Sequence, residues 1–207
     1  MQKTGACNDY RREVKQRILE LAMEEFLSVG VRAVKMDYIA QKLGISKRTL
    51  YEIYNNKEDL LLEGLMLKHD QQDKVMHDFM AEGHNVMEVL AFFMSRHMAF
   101  TSAFNPVLFE DIQKYDKVRT YLEEKHDQRK EKSIEFFMTG VKEGFFRDDV
   151  DYKLVLEISG ITAQRIMNQH MYAKYPLPHL FRTVVFLYLR GFCTQKGIEM
   201  LDKYLKI

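Results

Sequence analysis

The stretch KMDYIAQKLGISKRTLYEIY, Lys35–Tyr54, decides how this 207-residue chain is read. Met36, Ile39, Ala40 and Leu43 fall three and four apart, the spacing of one helical face. Gly44 breaks the pattern at a point where a positive φ costs glycine little. Ile45 leads into Ser46, whose hydroxyl suits an N-cap, and Leu50 and Ile53 supply the apolar side of the next short helix. Ala40 is the small residue where two helices cross, and Gly44 stands four later in the turn. Ile39, Leu43, Ile45, Leu50 and Ile53 form a clamp. A helical hairpin inside an unrelated bundle needs only a glycine turn. The joint fit of a small crossing residue, a turn glycine and five clamp residues points instead to a helix-turn-helix.

Outside the clamp, the second of these helices presents Lys47, Arg48, Thr49, Tyr51 and Glu52. They offer donors, a hydroxyl and an aromatic ring near the N-terminal end of the helix. That end reaches base edges in a major groove. Lys57 opens the following helix, where its charge and the free backbone N–H groups suit a phosphate.

Working outward, residues 1–9 are polar and are expected to fray. From Arg11, the residues Val14, Ile18, Leu21, Ala22, Phe26 and Val29 mark a first helix that stops at Gly30. A fourth helix is expected from Lys57 to about Ala81, and a fifth, Val86–Phe104, is apolar almost all round and expected to be buried. Pro106 begins a short sixth. A charged seventh runs from about Lys117 to Glu143, and an eighth, capped by Asp149 or Asp151, reaches about Tyr172. A ninth spans Leu180 to about Gln195, with one or two turns beyond Ile198. Val184–Leu189 has the composition of a buried strand, but no second strand candidate exists to pair with it.

The segment GVRAVKMDYIAQKLGISKRTLYEIYNNKEDLL, Gly30–Leu61, with AMEEFLSVG just before it, resembles the signature of the TetR family of bacterial repressors. The likeness is close over about residues 11–65 and is weaker in later landmarks such as GFFRDDVD, 144–151. It implies an all-α fold of about nine helices. An N-terminal three-helix DNA-binding domain, 10–64, is followed by a helical effector-binding and dimerisation domain, 65–207. The resemblance places Ser46, Lys47, Arg48, Thr49 and Tyr51 on the DNA-reading element, and it makes Tyr51, Tyr54 and Lys57 phosphate or groove contacts. Lys35 opens the second helix where such proteins usually carry Ser or Thr; a cap is lost and a cation gained. Val34 likewise replaces a common Thr. Glu52 is unusual on such a surface, and either accepts from a cytosine amine or faces solvent.

Net charge is +1. Residues 1–57 carry 11 Lys/Arg against 7 Asp/Glu, a balance of +4, which leaves −3 for the rest. A basic end on an acidic body fits a protein that presents one end to a polyanion, although a surplus of four is also ordinary scatter. Two cysteines, Cys7 and Cys193, form no CxxC, and the start has no apolar signal core; a reduced, cytoplasmic protein is expected. No wholly apolar run exceeds six residues, so no membrane partner is expected.

In the C-terminal body, Phe93, His97, Phe100 and Phe104 share one side of the fifth helix and are candidates for an effector pocket, with Arg165 as an anchor for an anionic effector. Arg96 and Arg165 sit in helices expected to be largely buried. Each of these residues also reads as ordinary core or as a locally paired charge. Leu154, Ile158, Ile161, Arg165 and Ile166, with Phe181, Val184, Val185, Tyr188 and Leu189, offer more apolar surface than one fold needs; a homodimer would bury it, or all of it lies inside one subunit. His69, Asp73 and His77 share a face of the fourth helix at a spacing that suits Zn, Ni or Cu, but a polar helix face is usually just solvated. No cofactor and no catalytic set is expected, since there is no phosphate loop, nucleophile elbow or HExxH.

The expected function is a ligand-responsive transcriptional regulator, a repressor. It would bind a near-palindromic duplex operator as a homodimer and be released by an unidentified small molecule. The alternatives are a helical small-molecule-binding protein or enzyme that kept the scaffold without reading DNA, and a metal sensor working through His69, Asp73 and His77.

Overall fold

The structure, a computed structural model, describes residues 3–103 and 105–205. Among these residues there are ten helices: α1 (Lys3–Val29), α2 (Met36–Leu43), α3 (Lys47–Ile53), α4 (Lys57–Ala81), α5 (Val86–Ala103), α6 (Val107–Ile112), α7 (Asp116–Lys142), α8 (Tyr152–Asn168), α9 (Leu177–Phe192) and α10 (Gln195–Leu205). A 3₁₀ turn, Met171–Ala173, lies between α8 and α9. Among the described residues there is no strand, only a single antiparallel bridge between Phe146 and Cys193. Val184–Leu189 is helical, as the lack of a pairing partner required.

Side-chain caps set several helix starts. Ser46 accepts from the Thr49 amide and begins α3. Asn56 accepts from the Asp59 amide, and Asn85 from those of Met87 and Glu88. Of the two acids offered by the sequence, Asp151 caps α8, accepting from the Leu154 amide at 3.0 Å. Each bond satisfies one backbone donor that the first turn leaves open.

The boundaries depart from expectation where such punctuation is weak. The backbone is helical from Lys3, ahead of the expected start at Arg11 and across part of the segment expected to fray. α8 stops at Asn168, short of Tyr172, because His170 takes a left-handed φ of 50° and the chain turns into the 3₁₀ segment. α9 begins at Leu177 with Pro178 in its first turn, where the missing N–H costs nothing. α10 is a full helix of 11 residues rather than a turn or two.

The chain forms two compact units: Met1–Gln72 with Phe104–Leu122, and Asp73–Ala103 with Glu123–Ile207. In the first, Ile18, Ala22 and Phe26 of α1 pack with Ile39 and Ala40 of α2, Leu50 of α3, Leu60 and Leu61 of α4, and Leu108 of α6. In the second, Met87, Leu90 and Met94 of α5 share a core with Phe146, Leu189, Phe192 and Leu201. Phe137 stacks on Tyr152, and Phe146 meets Phe192 edge to face.

α5 corrects an expectation. It is not buried all round: Phe93 is 46% and Phe100 38% exposed. Arg96 and Arg165 are exposed as well, with the Arg96 guanidinium lying over the Phe92 ring. High apolar content predicts that a helix has partners; it does not say how many of its faces one subunit covers.

Candidate nucleic-acid interface

The helix-turn-helix forms as its residues demand. Ile39, Ala40 and Leu50 are within 1% of full burial. Gly44 sits at φ 66°, ψ 27°, the left-handed turn that leaves the Ile45 amide free to bond the Ala40 carbonyl at 3.0 Å. Fixing these residues fixes which face of α3 points out. On that face Lys47, Arg48, Tyr51 and Glu52 are exposed, Tyr51 by 45%.

Each polar side chain here has an assigned place. Ser46 Oγ and Thr49 Oγ1 lie 2.8 Å apart across the N-cap. Lys47 Nζ reaches Asp37 of α2 at 2.5 Å, and this bond holds the ammonium above its ordinary pKa. Arg48 Nε donates to Glu52 Oε1 at 2.8 Å, one helical turn along. Arg11 of α1 donates to the Glu52 carbonyl at 3.0 Å and ties the far end of α3 to the first helix. Lys35 is exposed just ahead of α2; its side chain makes no cap, and its carbonyl accepts from Tyr38 and Ile39.

Two of the residues expected to touch DNA are placed differently. Tyr54 is only 3% exposed, and its hydroxyl has no hydrogen-bond partner among the described residues. Burial, with the Glu63 carboxylate nearby, pushes the phenol pKa upward. Tyr54 is therefore part of the core, as its spacing of four from Leu50 would have indicated. Lys57 is half-buried at the start of α4 and donates to the Val31 carbonyl at 2.8 Å. Burial pulls its ammonium below the ordinary lysine value, and the Asp111 charge opposes that pull.

Asp111 of α6 carried no signal in the sequence. It is 3% exposed and accepts from the Arg32 amide at 2.9 Å. Its Oδ2 would lie 3.0 Å from a Cβ added at Gly30, which also needs φ 86°. A buried carboxylate thus holds the turn between α1 and α2 against α6.

In the second unit, the His97 ring lies 5.6 Å from Phe93, 6.2 Å from Phe100 and 4.3 Å from Phe181 of α9. Burial among these rings, with the Arg129 charge adding to it, lowers the imidazole pKa and favours the neutral form. Phe181 is an addition to the expected set. Phe104 lies outside the described residues, and Arg165 is exposed on α8. Two open depressions lie elsewhere. One of about 480 Å³ is lined by residues such as Phe146, Arg147 and Thr194, and one of about 340 Å³ by His179, Arg182, Thr183, Phe186 and Arg190.

The histidine stripe on α4 is not assembled as a metal site. His69 Nδ1 is 2.9 Å from the Tyr121 hydroxyl, Asp73 faces Lys125 and Arg129, and His77 lies 3.6 Å from Asp78. Among the described residues, no group of three or more His, Cys, Asp or Glu side chains is placed to hold a metal ion. No helix among them is long and apolar enough to cross a membrane.

Residues 18–63, which include α2 and α3, match the profile of the bacterial regulatory proteins of the tetR family. Over these residues the chain is similar to the TetR family. It is 28% identical over 156 residues to the HTH-type transcriptional repressor KstR2 of Mycobacterium tuberculosis, covering 73% of this chain and 76% of that one. A regulator from Saccharomonospora viridis, solved in complex with choline, superposes with a TM-score of 0.70 at 19% identity, over 89% of this chain and 100% of the other. FadR from Bacillus subtilis, solved with stearoyl-CoA, gives 0.65 at 20% identity, over 85% and 98%. At such identities the likeness establishes the shared fold.

Proposed function

We propose that this protein is a ligand-responsive repressor of the TetR family. Two copies bind a near-palindromic operator, and a small molecule taken up by the C-terminal body releases them. The observation that carries the reading is α3, clamped by fully buried residues on one side and presenting Lys47, Arg48 and Tyr51 on the other. Ser46, Thr49 and Lys35 flank that face, and Lys57 stands at the start of α4.

The dimer reading rests on exposed apolar side chains of α8 and α9. Leu154 is 51%, Ile158 43%, Ile161 62% and Leu187 73% exposed. Side chains of this size left open on neighbouring helix faces fit an isologous contact. Two recognition helices then meet successive major grooves about 34–36 Å apart.

The effector reading rests on the aromatic cluster around His97 and on relatives solved with choline and with stearoyl-CoA. The effector acts by favouring a dimer geometry that no longer matches the groove spacing. To move that equilibrium from 1:99 to 99:1 requires about 5.5 kcal/mol of differential binding. The protein works in the cytoplasm, on duplex DNA, without catalysis.

The test is binding to the DNA upstream of its own coding sequence, followed across a salt series. Tight, salt-sensitive binding that Lys47→Ala and Tyr51→Ala each weaken is the expected result. Binding that is unspecific and unchanged in both variants would mean that the scaffold has been kept for another purpose.

A further inference from the structure

We infer that Glu52 is a positioning residue: it holds Arg48 by its Nε so that the two terminal nitrogens of the guanidinium face outward and read a guanine in each operator half-site. This rests on the proposal above that α3 enters the major groove.

The two cations at the start of α3 are both held by carboxylates, but in different ways. Lys47 spends its single charged nitrogen on Asp37 of α2. An ammonium is a point charge, and one so engaged has no fixed direction left to offer. Arg48 is different. Its bond to Glu52 uses Nε, at 2.8 Å, and leaves the Nη1 and Nη2 edge unengaged in that bond. That edge is the planar fork which matches guanine O6 and N7 as a bidentate pair, the commonest specific contact in a major groove.

Position supports the assignment. Arg48 is the second residue of α3 and is exposed, as Glu52 is, so the pair lies on the outward face near the N-terminal end. The Glu52 backbone is itself anchored, since its carbonyl accepts from Arg11 of α1 at 3.0 Å. A carboxylate on a DNA-facing surface otherwise repels phosphates. Paired to Arg48, it is neutralised locally and gives a long side chain one preferred direction. In water such an exposed pair contributes little to stability. Its value lies in presenting the arginine already oriented, so that less side-chain freedom is lost on binding.

The charge effect and the positioning effect of Glu52 can be separated. If Glu52 were only a stray negative charge, its removal would tighten binding to every sequence alike. If it orients Arg48, removal lowers discrimination at one base pair of the half-site and leaves the others as they were.

The experiment takes the duplex that the wild-type protein enriches from a random pool and substitutes each base pair in turn. Affinities are measured for wild type, Arg48→Ala, Glu52→Ala and Glu52→Gln, with melting curves as a check on folding. The wild type is expected to prefer guanine at one position per half-site by on the order of ten-fold or more. Arg48→Ala abolishes that preference, Glu52→Ala cuts it several-fold, and Glu52→Gln, which keeps an acceptor for Nε, retains most of it. If a defined site is enriched but Arg48→Ala or Glu52→Ala leaves the preference at every position unchanged, the inference is wrong and the regulator reading stands. A uniform gain in affinity for Glu52→Ala with unaltered preferences also overturns it. If no sequence is enriched at all, the regulator reading fails and this inference fails with it.

Discussion

Replacing Asp111 by alanine isolates one buried interaction that the first unit depends on. The carboxylate is 3% exposed and accepts the Arg32 amide at 2.9 Å, with Lys114 4.0 Å from its other oxygen. Truncation removes a charge-assisted bond and strands a partly buried N–H in the turn after α1. It also removes the negative charge that Lys57 feels from α6. Loss of a buried partner of this kind costs about 2 kcal/mol. For a chain of this length that is roughly a 4–8 °C fall in Tm. Asparagine keeps an acceptor for Arg32 without the charge and is expected to cost about half as much. The assay is thermal unfolding followed by far-UV circular dichroism, with operator binding measured in parallel. A melting temperature for Asp111→Ala within a degree of wild type would refute the argument, as would Asp111→Asn proving as costly as alanine.

Leu50 is fully buried between α3 and its neighbours, so Leu50→Ala should cost about 2–5 kcal/mol in urea unfolding and abolish DNA binding with it. Gly44→Ala meets no atom within 4 Å but must hold φ 66°, so it should cost about 1 kcal/mol through backbone strain alone, also read in urea. Ile161→Glu should yield a monomeric mass in solution with an unchanged helical spectrum, because Ile161 is 62% exposed in the single chain. His97 is held below its ordinary pKa in the folded chain, so the unfolded chain binds its proton first. Its contribution is therefore complete above the unfolded value and is lost as pH falls from there through the lower folded value, and His97→Gln should flatten the stability profile below about pH 6.5.

The helix-turn-helix was legible because it depends on local pattern: Ala40, Gly44 and Leu50 sit within eleven residues and each meets a requirement that few residue types satisfy. Helix boundaries were legible where a cap or glycine marks them, as at Ser46 and Asn85, and less so at Lys3 and Asn168, where nothing in composition forces a start or stop. Tyr54 was misplaced because an aromatic beside a recognition helix suits a groove and a core equally. Its spacing of four from the buried Leu50 is the signal that favours the core. Asp111 was invisible, since its role depends on a contact 79 residues away in sequence. The exposure of Phe93 and Arg165 was missed for a related reason: the apolar content of α5 and α8 says that those faces are covered, not whether the covering comes from the same chain or from a second one.

DNA recognition by a dimer is tested most directly by selecting duplexes from a random pool with the intact protein and measuring the mass of the resulting complex. Enrichment of a near-palindrome whose half-sites lie about one helical turn apart, bound by an even number of copies and lost on Tyr51→Ala, is the expected result. Recovery of no common sequence, or of a single unrepeated half-site bound by one copy, would contradict it.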